Sequence, residues 1–123
     1  MKRFIYADNA ATTAVYPEVA AEIQKCCLEA WGNPSSAHQK GYEAKDILAS
    51  SRKRIADVLG CDEKEIYFTS CGTEADNWAI FSTAKRFGKK HKHIITTAIE
   101  HHAVLNCMKE LENQGFDVTY LQP

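Results

Sequence analysis

Ile66-Tyr67-Phe68-Thr69-Ser70-Cys71-Gly72-Thr73-Glu74-Ala75-Asp76-Asn77 runs from apolar β-type residues through a small-residue turn into a helical pattern. A strand over Ile66 to Thr69 followed at once by a helix leaves the first helical N–H groups without intrahelical acceptors, aimed past the strand end. The positive end of the helix dipole stands behind them, so the corner suits a phosphate or a carboxylate. Gly72 lets the backbone come close to an anion, and the Thr73 hydroxyl adds a donor. The same residues fit a plainer reading, because Thr73-x-x-Asp76 has the spacing of a capping box. Both readings stand on the turn alone.

Working outward, the pattern from Glu65 alternates. The strand at Ile66 leads to a helix of roughly 14 residues. A strand follows over His93 to Thr97, and then a helix around Val104, Leu105, Met108 and Leu111 that ends near Gly115. A last strand starts at Asp117 and runs into Leu121. Strand, helix, strand, helix, strand predicts an α/β fold with a mostly parallel sheet, right-handed crossovers and flanking helices. Ligands in such sheets lie beyond the carboxyl ends of strands. The Cys71-Gly72-Thr73 turn and Glu100-His101-His102 both fall at that end, so two separate stretches converge on one cleft.

Upstream, Phe4 to Ala7 reads as a short strand and Asp8 to Thr13 as a polar turn. Pro17 opens a helix whose apolar face is Val19, Ile23, Cys26, Cys27 and Ala30. Gly32-Asn33-Pro34 breaks it, and Ser36 with Gln39 has cap spacing for the next helix. The stripe Ala44, Ile47, Leu48, Ser51, Ile55, Val58, Leu59 stops at Gly60. The chain ends at Leu121-Gln122-Pro123 as a strand ends, without a covering helix, whereas parallel sheets are normally covered on both faces. The expectation is a piece of a larger, truncated α/β protein.

Composition excludes several classes. The 123 residues are 45% hydrophobic and 25% charged with net charge −1, so no basic surface for nucleic acid is expected. The Lys85-Arg86 and Lys89-Lys90 cluster suits a helix carboxyl end. No apolar run approaches the ~20 residues of a membrane span, and the early charges of Met1-Lys2-Arg3 argue against a signal peptide. The cytoplasm is the expected compartment. Cys26, Cys27, Cys61, Cys71 and Cys107 show no CxxC spacing, so neither disulfides nor structural zinc are expected, and Cys26, Cys27 and Cys107 read as small buried hydrophobes.

Four blocks together carry a resemblance: Ala7-Asp8-Asn9-Ala10-Ala11-Thr12-Thr13, Gly32-Asn33-Pro34-Ser35-Ser36-Ala37-His38, Phe68 through Asn77, and Glu100-His101-His102-Ala103-Val104-Leu105. In this order, across essentially the whole chain, they resemble the amino-terminal part of the cysteine desulfurases (NifS/IscS-like). These are pyridoxal 5'-phosphate enzymes of the class V aminotransferase group, with the fold-type I architecture. The resemblance implies that residues 65–123 begin the large cofactor-binding α/β domain. It implies that residues 1–64 contribute to the small domain and the approach to the active site.

Residue by residue, the resemblance gives Gly72 and Thr73 to the cofactor phosphate. It gives His101 to the cofactor ring, where it would stack and move protons. An imidazole suits that work, being flat and titrating near neutrality as a residue type. Asn33 and His38 fit either the active-site entrance or dimer contact, or a plain turn. Cys71, at a helix start that favours a thiolate, is made a packing position by the resemblance. The sulfur-accepting cysteine, the lysine that would hold the cofactor covalently, the aspartate facing the pyridine nitrogen and the arginine for the substrate carboxylate are implied beyond Pro123. The implied reaction takes sulfur from L-cysteine, giving L-alanine and an enzyme persulfide for iron–sulfur cluster or thio-cofactor assembly. The implied partners are a sulfur acceptor or iron–sulfur scaffold protein and a second copy of the chain, with the 123 residues silent on their own. Selenocysteine lyase is the near alternative. A distant one is a metal-binding protein using His91, His93, His101, His102 and Cys107, although their spacings match no familiar site.

Overall fold

The computed structural model describes residues 3–123. Met1 and Lys2, part of the stretch weighed against a signal peptide, lie outside the described residues. The chain divides into two compact units, one running to Ile66 and the other from Tyr67 to Pro123.

In the first unit, α1 spans Pro17–Glu29 with proline in its first turn, as the sequence predicts. No residue of α1 is fully buried, and Val19 and Ile23 of its apolar face are exposed. Cys26 is half-buried and Cys27 exposed, which corrects the expectation that both are core residues. Helix α2 spans Gln39–Leu59 and stops at Gly60, whose φ of 68° is left-handed. Its cap is not Ser36. His38 Nδ1 accepts from the Gly41 N–H at 3.3 Å, while Ser36 N–H is spent on Asn33 O at 3.0 Å inside the preceding turn. That turn presses on α2: a Cβ at Gly41 would stand 2.2 Å from Ser36 O. A 3₁₀ turn over Glu63–Glu65 follows, closed by a reciprocal capping box between Asp62 and Glu65. The Arg52 guanidinium donates to Ile66 O and ties α2 to the exit of this unit.

Two expected strands are not formed. Phe4–Ala7 and Ile66–Thr69 have no ladder partner, and among the described residues the sheet has two strands. A β-type run becomes a strand only when a neighbour supplies the other half of each hydrogen bond.

The second unit follows the predicted alternation from its first helix onward. Helix α3 spans Gly72–Phe87 with Lys85 and Arg86 in its last turn. Strand β1 (His93–Thr97), helix α4 (His102–Asn113) and strand β2 (Asp117–Leu121) follow. The strands pair in parallel, with Ile94 opposite Val118 and Thr96 opposite Tyr120. Strand side chains alternate between faces. Ile94, Val118 and Tyr120 therefore pack on a core of Ala84, Cys107, Met108 and Leu111 from the two helices. Ile80, Phe81, Val104 and Phe116 close around it. Leu111 and Cys107 are each 1% exposed. Ile95 and Leu121, on the other face, stay open to solvent. Both helices thus cover one face of the sheet.

Candidate functional site

The site is built at the amino ends of α3 and α4. Cys71 is the N-cap of α3, which makes Gly72 the first helical residue and Thr73 the second. The Thr73–Asp76 capping box is not formed. A box needs its Ser or Thr one position outside the helix, and Thr73 already lies within it. The turn is held instead by Glu74, whose carboxylate accepts from both the Ser70 N–H and the Ser70 hydroxyl at 2.6 Å. These donors keep the Glu74 carboxyl below the ordinary glutamate range, the hydroxyl contributing most. Tyr67 meets Trp78 edge-on at 5.1 Å, pinning the extended entry segment to α3.

The first-turn amides face an open space. A Cβ built on Gly72 meets nothing within 4 Å. Its N–H has no acceptor among the described residues, since the helical ladder begins with Ala75 N–H on Cys71 O at 3.2 Å. The Cys71 thiol makes no cap hydrogen bond. Even so, the Glu74 N–H, then the Ser70 hydroxyl, then the Thr73 N–H hold it below the usual thiol range. These donors favour the thiolate form of Cys71, while the nearby Glu74 charge opposes it.

His101 is the N-cap of α4, and its Nδ1 accepts from the Ala103 N–H at 3.1 Å. With Nδ1 an acceptor, the neutral ring carries its proton on Nε2, assigned from this hydrogen bond. Before it, the Thr97 hydroxyl donates to Glu100 at 2.7 Å, and Ala98 N–H reaches Leu121 O at 2.9 Å. These bonds shape the strand-to-helix connection that presents His101. His102 is the next residue, its ring 6.2 Å from that of His101.

Deeper in the unit the two helices are joined by a polar contact: the Cys107 thiol donates to Asn77 Oδ1. From sequence, Cys107 reads as a small buried hydrophobe or, in the metal-binding alternative, a ligand, and Asn77 carries no assigned role. The pair is 30 residues apart in sequence, and no spacing rule reaches that far. The Ser70–Glu74 bond is likewise not evident from spacing, because Ser70 lies before the helix that carries Glu74.

A concavity of about 570 Å³ lies elsewhere, between α3 and β1, lined by residues such as Ile80, Phe87, Ile95 and Met108. It contains neither Gly72, Thr73 nor His101, and its lining is mostly apolar. A second of about 540 Å³ runs along α3 and includes Cys71, Thr73, Glu74 and Asn77. The second has the donors. Asn33 and His38 serve their own unit as turn and cap, with Asn33 Oδ1 accepting from Ser35 N–H at 2.9 Å.

The residues of the metal-binding alternative do not assemble. His93 opens β1 and bonds Thr119 Oγ1 at 2.8 Å, whereas His101 lies past its far end. The four residue steps from His93 to Thr97 put roughly 13 Å between those ends. Among the described residues no three His, Cys, Asp or Glu side chains group as metal ligands. Among the same residues, no helix is long and apolar enough to cross a membrane.

The unit is a parallel two-stranded sheet with two packed helices, one opened by Gly72 and Thr73 and the other capped by His101. The chain belongs to the aminotransferase class-V family, whose model it matches over residues 5–123. It is 52% identical over 117 residues to the cysteine desulfurase IscS of Methanosarcina thermophila, covering 95% of this chain and 29% of that protein. Among solved structures it resembles a NifS-like protein with TM-score 0.87 and 46% identity, over 92% of this chain and 31% of that one. A structure of SspA in complex with cysteine matches with TM-score 0.84 and 39% identity, over 93% of this chain and 33% of that one. The chain thus spans about 30% of the length of its relatives.

Proposed function

We propose that this chain is part of a pyridoxal 5'-phosphate-dependent cysteine desulfurase, which takes sulfur from L-cysteine and leaves L-alanine and an enzyme persulfide. The observation that carries the reading is the open, amide-rich corner at Gly72 and Thr73, on a helix packed against the one that His101 caps. It occurs in a chain about half identical to a protein named as a cysteine desulfurase.

The residues present fit the cofactor. A phosphate is a tetrahedral dianion that needs converging donors, and the unpaired Gly72 N–H, the Thr73 N–H and the Thr73 hydroxyl provide them. His101, held through Nδ1, keeps one ring face and the Nε2 proton available, so it covers the ring and donates or accepts a proton at Nε2. The bound cofactor supplies the electron sink, and the protein supplies orientation and proton transfer. The Glu74 bond to Ser70 keeps the turn in the shape that turns these donors outward. Cys71 packs beside the phosphate and takes no sulfur.

In this reading residues 65–123 belong to the large cofactor-binding domain, while residues 1–64 serve the small domain and the approach to the site. The 123 residues alone are silent. The complete protein is a cytoplasmic homodimer that passes sulfur to an acceptor or iron–sulfur scaffold protein. The test is to purify the protein from its complete reading frame, reconstitute it with pyridoxal 5'-phosphate, and measure cofactor absorbance and sulfide release from L-cysteine. A protein that stays colourless and inactive refutes the proposal.

A further inference from the structure

One ligand can meet two helix ends only if the helices keep a fixed offset along their axes. Asn77 is the sixth residue of α3 and Cys107 the sixth of α4, and Cys107 Sγ donates to Asn77 Oδ1 between them. Around this bond the helix interface is apolar, made by residues such as Ile80, Phe81, Ala84, Val104 and Met108. Apolar contact is non-directional and sets depth weakly, whereas a single buried polar contact can specify register. Cys107 Sγ also lies 3.0 Å from Ala103 O, so one thiol proton serves two acceptors. Ala103 N–H in turn holds His101 Nδ1 at 3.1 Å. A continuous route therefore runs from α3 through Asn77, Cys107 and Ala103 to the imidazole. Burial, and secondarily the charge of Asp76, pushes the Cys107 thiol up, so it remains an S–H donor.

We propose that Asn77 and Cys107 are positioning residues, setting the depth of the Gly72–Thr73 corner against the imidazole of His101. This rests on the cofactor reading above. Asn77 lines the concavity that includes Thr73, but neither the Asn77 nor the Cys107 side chain hydrogen-bonds Gly72, Thr73 or His101 among the described residues, and the pair acts through the helices that carry them.

The experiment uses the protein from its complete reading frame, as wild type, Cys107→Ala, Cys107→Ser and Asn77→Ala. Three quantities are read for each: pyridoxal 5'-phosphate affinity by absorbance titration, the induced circular dichroism of the bound cofactor, and the urea midpoint. Cys107→Ala and Asn77→Ala each weaken cofactor binding on the order of tenfold and alter the induced dichroism. Cys107→Ser, which keeps a donor, restores the dichroism and most of the affinity. Asn77 is only half-buried, so Asn77→Ala decides the matter if Cys107→Ala fails to fold. Unchanged affinity and dichroism in the alanine variants overturn the inference while leaving the cofactor reading intact. So does a folded Cys107→Ser variant that restores nothing, since that marks a packing role. A wild-type protein that takes up no cofactor sinks the functional reading itself, and the inference with it.

Discussion

Replacing Gly72 with proline removes the N–H from the proposed phosphate corner and puts the ring Cδ in its place. Gly72 is the first residue of α3, the one helical position that proline favours, because its missing N–H has no helical acceptor there. The preceding Cys71 has φ −164° and ψ 171°, extended geometry that a following proline accepts. A hydrogen bond from an amide to a charged acceptor contributes about 1.5–3 kcal/mol net. Losing it raises the cofactor dissociation constant roughly 10- to 150-fold. Gly72→Ala is the control: it keeps the N–H, and its Cβ meets nothing within 4 Å, so binding stays near wild type. The assay is titration of the apoprotein with pyridoxal 5'-phosphate, with thermal melting run alongside to show that all three proteins fold alike. A Gly72→Pro protein that melts normally and binds within threefold of wild type refutes the claim that this amide holds the phosphate. A Gly72→Ala protein as impaired as the proline variant shows that the space before residue 72, rather than its N–H, matters.

Other consequences follow from burial and local charge. Leu111→Ala empties a fully buried position and costs about 2–5 kcal/mol, whereas Val58→Ala, at an 86% exposed site, stays within about 0.5 kcal/mol. Urea midpoints compare them, and equal shifts refute the assigned core. Cys71, exposed with a lowered pKa, carries more thiolate at neutral pH than an ordinary thiol, so iodoacetamide modifies it early, and Cys107 reacts only after unfolding. Peptide mapping along the time course checks the order, and early labelling of Cys107 contradicts it. The lowered Glu74 carboxyl stabilises the turn above the ordinary glutamate value of 4.5, and that stabilisation is lost as pH falls through its lower folded value. The Ser70 amide resonance should therefore titrate with a midpoint below 4.5, and Glu74→Gln should abolish the titration.

Much of the second unit was legible because its signals are local. His93–Thr97 and Asp117–Leu121 form strands where their β-rich runs predict them, and α4 ends just before the expected Gly115. Gly60 ends α2 in left-handed geometry because glycine adopts it without a Cβ penalty. Caps were harder to read. Ser36 and His38 both lie near the start of α2, and Thr73 and Glu74 near the start of α3. In each case the backbone path, rather than residue type, chose which side chain meets an N–H.

By itself, the order of residues determined the helices α1 to α4 and the strands β1 and β2, and that Gly72, Thr73 and His101 lie where strand-like runs give way to helices. Backbone dihedral preference and the periodicity of apolar side chains act over a few residues, so they can be read along the chain. Only the tertiary structure decided that Ile66–Thr69 stays unpaired, that Glu74 closes the first turn of α3, and that Asn77 meets Cys107 across two helices. A ladder hydrogen bond and an interhelix contact both need a partner brought from far along the chain. The packing of Leu111 and its neighbours supplies that partner, and no local pattern encodes it.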